Sequence, residues 1–425
     1  MYTQPTLRKT ILLPQAIALY IGSVMGSGIL LLPGLAAEIA GPSSLLAWGV
    51  MIMLSFPLAL VMGWLAALHP NSGGVAHYVT KAFGEKLGTL TGWFFLMSVI
   101  IGAPVTALTG AGYLSSALGL GGKGQIEIAI VMIILALVVN YFGMSVSGQI
   151  QVIITGGIIL ILGFTIFSSF VHIEPTNLAP AVPISLWDVG KSAALIFWCF
   201  TGWEAVTNLS EEFVDPKRDT LKAVTIAAII IGVLYFLTAF STVGTGSYLN
   251  GAQDALVTVI KQSFGNYGSA ITGGLGFFIC MASITAYFGS SIRSAYALAR
   301  DEKAPSFMKS FSTRYCTPVG GIYFLAGGCA ITMALYATGL IPLSTLIQLP
   351  NATYILTYIL GCGAAIRIFR DYKTARLFSW ISLLLSLAIL PFVGWSLFYP
   401  VTITLFVSIF IWKKDLFSKG LAHSN

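Results

Sequence analysis

Apolar residues run along this chain in blocks of about 17–25, divided by short polar connections. A helix of that length crosses a hydrocarbon layer of about 30 Å at 1.5 Å per residue. Twelve such spans are predicted, at about 12–37, 43–67, 88–118, 126–143, 148–170, 187–210, 220–243, 267–298, 319–338, 342–366, 376–394 and 395–412. The last two are divided only by Pro391-Phe392-Val393-Gly394-Trp395. Two connections, 69–87 and 244–266, are long enough for a surface helix each; the others leave no room for a soluble insert. The pattern predicts one all-α polytopic membrane domain over 1–410 and a short tail at 413–425.

Composition sharpens this. Of 425 residues, 56% are apolar and 9% charged, with a mean hydropathy of +0.88. A soluble domain carries about a quarter charged residues, so lipid must be the solvent for most of this chain. Placing the N-terminus inside puts 19 of the 22 lysines and arginines on inner segments and 3 on outer ones. That obeys the positive-inside rule and predicts both termini in the cytoplasm. The net charge of +7 therefore reports topology rather than nucleic-acid binding. Met1–Thr10, with Arg8 and Lys9 ahead of a full-length span, is expected to be retained rather than cleaved as a signal peptide. Five cysteines without ligand spacing predict neither a disulfide framework nor a metal site. The histidines (His69, His77, His172, His423) fall in loops or the tail and are expected to be solvated.

Two spans are interrupted. The first reads Gly22-Ser23-Val24-Met25-Gly26-Ser27-Gly28-Ile29 near mid-bilayer depth. Unwound backbone survives in a membrane only where it lines a cavity or is buried in protein. A half-helix starting near Ser27 or Gly28 would aim free N–H groups and a positive dipole end at a carboxylate. Gly22 and Gly26 also fit a close-packing seam, and the first span alone does not decide between the two. The sixth span carries Thr201-Gly202-Trp203-Glu204, and Glu204 is the one acidic residue placed inside a span away from its ends. Ionisable groups are costly there and mark function. Interruptions at spans one and six predict two five-helix halves of opposite orientation, with a binding site between the breaks.

The strings GSVMGSGILLLPG, GGVAHYVTKAFG and WCFTGWEAVTNLSEEFVDPKRD resemble the amino acid–polyamine–organocation superfamily over essentially the whole chain. Within it, GGVAHYV…AFG, FWCFTGWEA and PFVGWSLFYP resemble the bacterial methionine and branched-chain amino-acid exporter group. The resemblance implies the leucine-transporter-type fold: inverted repeats at about 12–170 and 187–366, and two peripheral helices at about 376–412. It further implies that a substrate carboxylate meets N–H groups of Ser27, Gly28 and Ile29, beside Gly26 in the break. The ammonium would meet carbonyls of Val24, Trp198 and Thr201, near Gly202. Trp198 matches an aromatic lid and Tyr287 a pocket wall, while Gly102, Ala103, Pro104 and Thr106 offer an uncharged side-chain pocket. Export of small neutral amino acids follows as an expectation, with import and exchange as alternatives on the same scaffold.

Glu204 is expected to couple transport to protons, or else to cap the broken helix. Ser283, Thr285, Ser290 and Ser291 are expected to bond helix carbonyls rather than sodium. Asn140, Asn208 and Asn351 are expected to bond across helices. Glu211, Glu212, Asp215, Lys217, Arg218 and Asp219 read as a cytoplasmic ion-pair network. No cofactor, nucleic-acid partner or catalytic residue is expected: there is no GxxxxGK[ST] loop, no histidine within a span, and no filter repeated around an axis.

Overall fold

A computed structural model describes residues 7–179 and 184–409. Among them the chain is helical, with isolated bridges and no strand. The first span is two pieces, α1 (Leu13–Val24) and α2 (Gly28–Ala40). Then come α3 (Ser44–Leu68), surface helix α4 (Val75–Phe83), α5 (Glu85–Leu118), α6 (Gly121–Tyr141), α7 (Met144–Ser169) and the short α8 (Pro175–Leu178). The sixth span comprises α9 (Leu186–Ile196), a 3-10 turn at Phe197–Phe200 and α10 (Trp203–Thr207). The second half holds α11 (Pro216–Gly244), surface helix α12 (Ala255–Phe264), α13 (Gly268–Arg300), α14 (Val319–Ala337) and α15 (Leu343–Ile368). α16 (Lys373–Ile389) and α17 (398–409) complete the described chain.

The predicted spans and both surface helices are present, with ends shifted by a few residues, as capping and fraying allow. Among the described residues, eight stretches of helix are long and apolar enough to cross a bilayer unaided, and the bent pair Lys373–Ile389 with Val393–Ile409 would make a ninth. The interrupted spans fall short because α1 has 12 residues, α9 has 11 and α10 has 5. The chain bends by 107° between α16 and α17, where Gly394 takes a φ of 63°. The expected tail at 413–425 lies outside the described residues.

α5 and α13, the two longest helices, run against each other through the centre, and α1 packs on α7, α11 and α13. Polar side chains join these rods where lipid offers no partner. The Asn140 amide donates to the carbonyls of Ala136 (2.9 Å) and Thr285 (3.0 Å), tying α6 to α13 as expected. The Gln151 amide on α7 reaches Ala18 O at 3.4 Å and Ala282 O at 3.2 Å, joining α1 to α13.

At the end of the bundle that holds α4, the acidic run pairs differently from its local expectation. Glu212 meets Arg293 at 2.5 Å and Glu211 meets Arg300 at 3.5 Å, both on α13. Asp215 instead caps α11, accepting from Arg218 N–H at 3.2 Å. The Glu212 carbonyl also accepts from the N–H groups of Thr10 and Ile11, both at 2.9 Å, which ties the chain start to the end of the sixth span.

Single cysteines at His172, after α7, and at Lys309, after α13, are expected to react with membrane-impermeant thiol reagents from opposite faces. Labelling of both from one face would contradict the twelve-span order.

Candidate functional site

The two breaks face each other. α1 ends at Met25, whose ψ of 71° leaves the helical region, and α2 restarts at Gly28. The Gly28 and Ile29 N–H groups head α2 and have no intrahelical partner. In the sixth span, Thr201 is extended (φ −83°, ψ 154°) and Gly202 has a φ of 121°. Glycine is required at 202 twice over: for that φ, and because a Cβ would lie 2.6 Å from the Ser23 carbonyl oxygen. A Cβ on Gly28 would lie 2.5 Å from the Cys199 sulfur. Where the two spans cross, backbone thus packs on backbone at Gly202 and the Cys199 side chain packs on backbone at Gly28.

Two tyrosines hold the unwound segments. The Tyr235 hydroxyl on α11 lies 3.0 Å from Val24 O and 3.2 Å from Cys199 O, bridging carbonyls of both breaks. The Tyr358 hydroxyl on α15 accepts from Gly202 N–H at 2.9 Å and Trp203 N–H at 3.1 Å, and donates to Glu204 Oε2. Glu204 has no exposed surface. Its Oε2 also accepts from Gly202 N–H at 2.9 Å, and its Oε1 accepts from the Tyr287 hydroxyl at 3.2 Å. The carboxylate therefore sits at the head of α10, where the free N–H groups and helix dipole favour negative charge.

Between the breaks lies a cavity of ≈ 40 Å³. A water needs about 10–15 Å³ on this scale, so the space suits a small group and is tight. Of the predicted residues, Val24, Gly26, Ser27, Gly28, Trp198, Thr201 and Tyr287 line it. Gly102, Ala103 and Thr106 of α5 form the facing wall with Val99, Ile284 and Tyr354, and no charged side chain enters the lining. Trp198 stands at 6.5 Å from the Tyr354 ring and Tyr287 at 5.8 Å. Ile29 is wholly buried in the core, Pro104 is buried in α5, and Gly202 packs on Ser23; none of them lines the cavity. Glu204 lies behind the wall, reached through Tyr287.

Two of the three carbonyls expected to be free are in use here. Val24 O accepts from Gly26 N–H (2.9 Å) as well as Tyr235, and Trp198 O accepts from the Thr201 hydroxyl (3.0 Å). Among the span-eight hydroxyls, Ser290 back-bonds to Ala286 O at 3.0 Å, as expected, and Ser283 faces the cavity. The Thr285 and Ser291 hydroxyls are buried without a partner. Sequence reasoning passed over Tyr235, Tyr354, Tyr358 and Gln151. A tyrosine or glutamine inside an otherwise apolar span was the available signal, since a buried hydroxyl or amide needs a partner.

A family model described as amino acid permease matches residues 11–413. The chain is 33% identical to the uncharacterized amino acid permease YecA of Bacillus subtilis, over 99% of each chain. It is 30% identical to the L-methionine/branched-chain amino acid exporter YjeH of Escherichia coli, over 92% of this chain and 94% of that one. It is 25% identical to the branched-chain amino acid permease BcaP of Bacillus subtilis, over 81% and 78%.

Tyr358→Phe leaves the buried Trp203 N–H without its partner, at about 1–3 kcal/mol, and takes one of the bonds from Gly202 N–H and from the Glu204 carboxylate, which keep each other. It is expected to lower the thermal midpoint of the detergent-solubilised protein clearly. A midpoint equal to wild type would show that Tyr358 does not hold the break.

Proposed function

Because the chain belongs to the amino acid permease family, we propose that it is a secondary active transporter carrying small neutral amino acids through the cavity between the two breaks by alternating access. The observation that carries this reading is that cavity: unpaired N–H groups at the head of α2 on one side, small and apolar side chains opposite, and no charge in its lining. The substrate carboxylate docks on the N–H groups of Ser27 and Gly28, the two of the expected three donors that line the cavity. Its ammonium lies by the carbonyls of Val24, Trp198 and Thr201. One of these, Val24 O, already accepts from the Tyr235 hydroxyl, which also reaches Cys199 O in the sixth-span break. Substrate thereby competes with the contacts joining the two spans. That gives it the differential hold on their arrangement that alternating access needs.

The side chain projects toward Val99, Gly102, Ala103, Thr106, Ile284 and Tyr354. Lysine or arginine would be buried there without a counter-charge, which is costly. Methionine and branched-chain aliphatic side chains suit the wall, in keeping with the substrates that the Escherichia coli exporter is named for. Export is the direction we propose on the same likeness; import or exchange is the alternative. The repeats are spans one to five and six to ten, with two peripheral spans after them, in a bacterial-type plasma membrane with both termini inside. No cofactor takes part. Protons, rather than sodium, drive the cycle through Glu204, which touches both the sixth-span break and Tyr287 in the cavity wall.

Counterflow in proteoliposomes with a panel of amino acids tests the reading: methionine, leucine and isoleucine should exchange, and lysine and arginine should not. Absence of counterflow with every neutral amino acid would overturn it. Gly102 offers a sharper check, because a Cβ there meets only ordinary contacts, Tyr354 Oη at 3.7 Å being the nearest. Gly102→Val should fold, yet lose methionine and leucine while keeping alanine; equal loss of all three would remove Gly102 from the side-chain wall. Glu204→Gln should keep substrate binding and lose the pH dependence of flux. A wild-type pH profile in that variant would leave Glu204 as a helix cap.

A further inference from the structure

A second, smaller cavity lies against Glu204 and belongs to neither the substrate site nor the ion pairs below it. It is lined by Thr91, Phe95, Asn208, Ser294, Thr357 and Glu204 itself, together with Gly73 just before α4 and Val75 and Ala76 in its first turn. Three helices fix its place relative to the substrate cavity. α5 contributes Thr91 here and Val99 to Thr106 there; α13 contributes Ser294 here and Ser283 to Tyr287 there; α15 contributes Thr357 here and Tyr354 there. From Tyr287 to Ser294 is two helical turns, roughly 10 Å along α13. Glu204 therefore stands between two cavities, one on the substrate side and one toward the face that carries α4. The charge pattern puts that face inside.

The volume is ≈ 10 Å³, about the least that admits a water, and a buried water needs two to four polar partners. The lining supplies three hydroxyls, an amide and a carboxylate. On Glu204, Oε2 accepts from Gly202 N–H and Tyr358, and Oε1 accepts from Tyr287. We propose that this cavity holds one water and is the route by which protons pass between Glu204 and the α4 side, separate from the path of the substrate. A proton passes from a hydronium at the α4 face through the held water to the Glu204 carboxylate, turning it into carboxylic acid, or leaves by the reverse transfer; in each cycle one of these two transfers uses this route and the other exchanges with the opposite face. The titratable groups facing Glu204 are Tyr287 from α13 and Tyr354 and Tyr358 from α15. All three are phenols, so no lysine, arginine or histidine competes for the proton at that point. Separate routes let substrate and proton occupy the sixth-span break from opposite sides, which lets each bias the same two-state element. The proposal rests on Glu204 being the coupling group, and the test separates the two ideas.

Two variants address the route without touching the substrate wall. Ser294→Val puts an extra methyl into a space for one water. Thr91→Val keeps the volume and removes a hydroxyl. The full chain in liposomes, with methionine as probe, gives two readouts. The first is the rate at which the protonated Glu204 carboxyl exchanges with heavy water, followed in the infrared and assigned by its loss in Glu204→Gln. The second is methionine flux driven by a pH gradient, compared with counterflow at equal pH. Both variants should slow the exchange and lose gradient-driven flux while counterflow persists. Unchanged carboxyl exchange in both variants would overturn the route, whatever happens to flux. Slowed exchange with a wild-type flux that ignores pH would keep the water site and remove Glu204 from coupling.

Discussion

Everything at the centre of this bundle answers to one constraint: peptide groups released from a broken helix must find partners where no bulk water is available. A helix satisfies its own N–H and C=O groups, and breaking two of them at the same depth creates a cluster of orphans. The first break leaves N–H groups at the head of α2 and the second leaves them at the head of α10. The protein treats the two ends differently. At α10, Glu204 and Tyr358 close over the N–H groups of Gly202 and Trp203. At α2, no side chain of the protein caps the helix, and that end opens on the cavity. One end is thus capped and the other open, and the open one is where the proposed substrate site lies.

The supports of the breaks come from a distance. Tyr235 reaches in from α11 and Tyr358 from α15, while Gln151 passes from α7 through the space that Gly22 leaves open. Each support links a broken span to an unbroken one, so a shift of α11, α15 or α7 changes the bonds available at the breaks. The pair Glu212–Arg293 and the backbone bonds from Thr10 and Ile11 make a similar connection at the α4 end, joining the chain start, the sixth span and α13. An ion pair this buried is held by geometry rather than by net stability, since desolvation offsets most of its attraction. Such a contact suits a joint that must form in one arrangement and part in another.

How much of this could be read from residues varies with the range of the interaction. The spans were legible because apolar length is a local property, and lipid forces every apolar block of that length into one structure. The breaks were legible for the same reason in reverse: Gly-Ser and Thr-Gly-Trp-Glu are out of place in an apolar run. Glu204 could be named but not its role as the head-cap of α10, because its partners Tyr287 and Tyr358 lie 83 and 154 residues away. Tyr235, Tyr354 and Tyr358 were hidden because an aromatic residue in a span reads as packing until its hydroxyl has a partner. The acidic run after the sixth span was read as pairing with its own neighbours Lys217 and Arg218, whereas folding brings Arg293 and Arg300 closer.

The sequence by itself therefore determined the solvent, the number and order of spans, where two of them break, and the kind of end each break exposes. All of these follow from residues within about one helix length of each other, where bilayer thickness and hydrogen-bond closure leave few options. Tertiary structure decided which freed groups are satisfied and which stay open, that Ile29 and Gly202 face the core rather than the cavity, and that Glu204 lies between two cavities. Those outcomes depend on the crossing of α1, α10, α13 and α15. That crossing is set by where glycines at 28 and 202 let the two broken spans meet, and no local pattern specifies the partner on the other side.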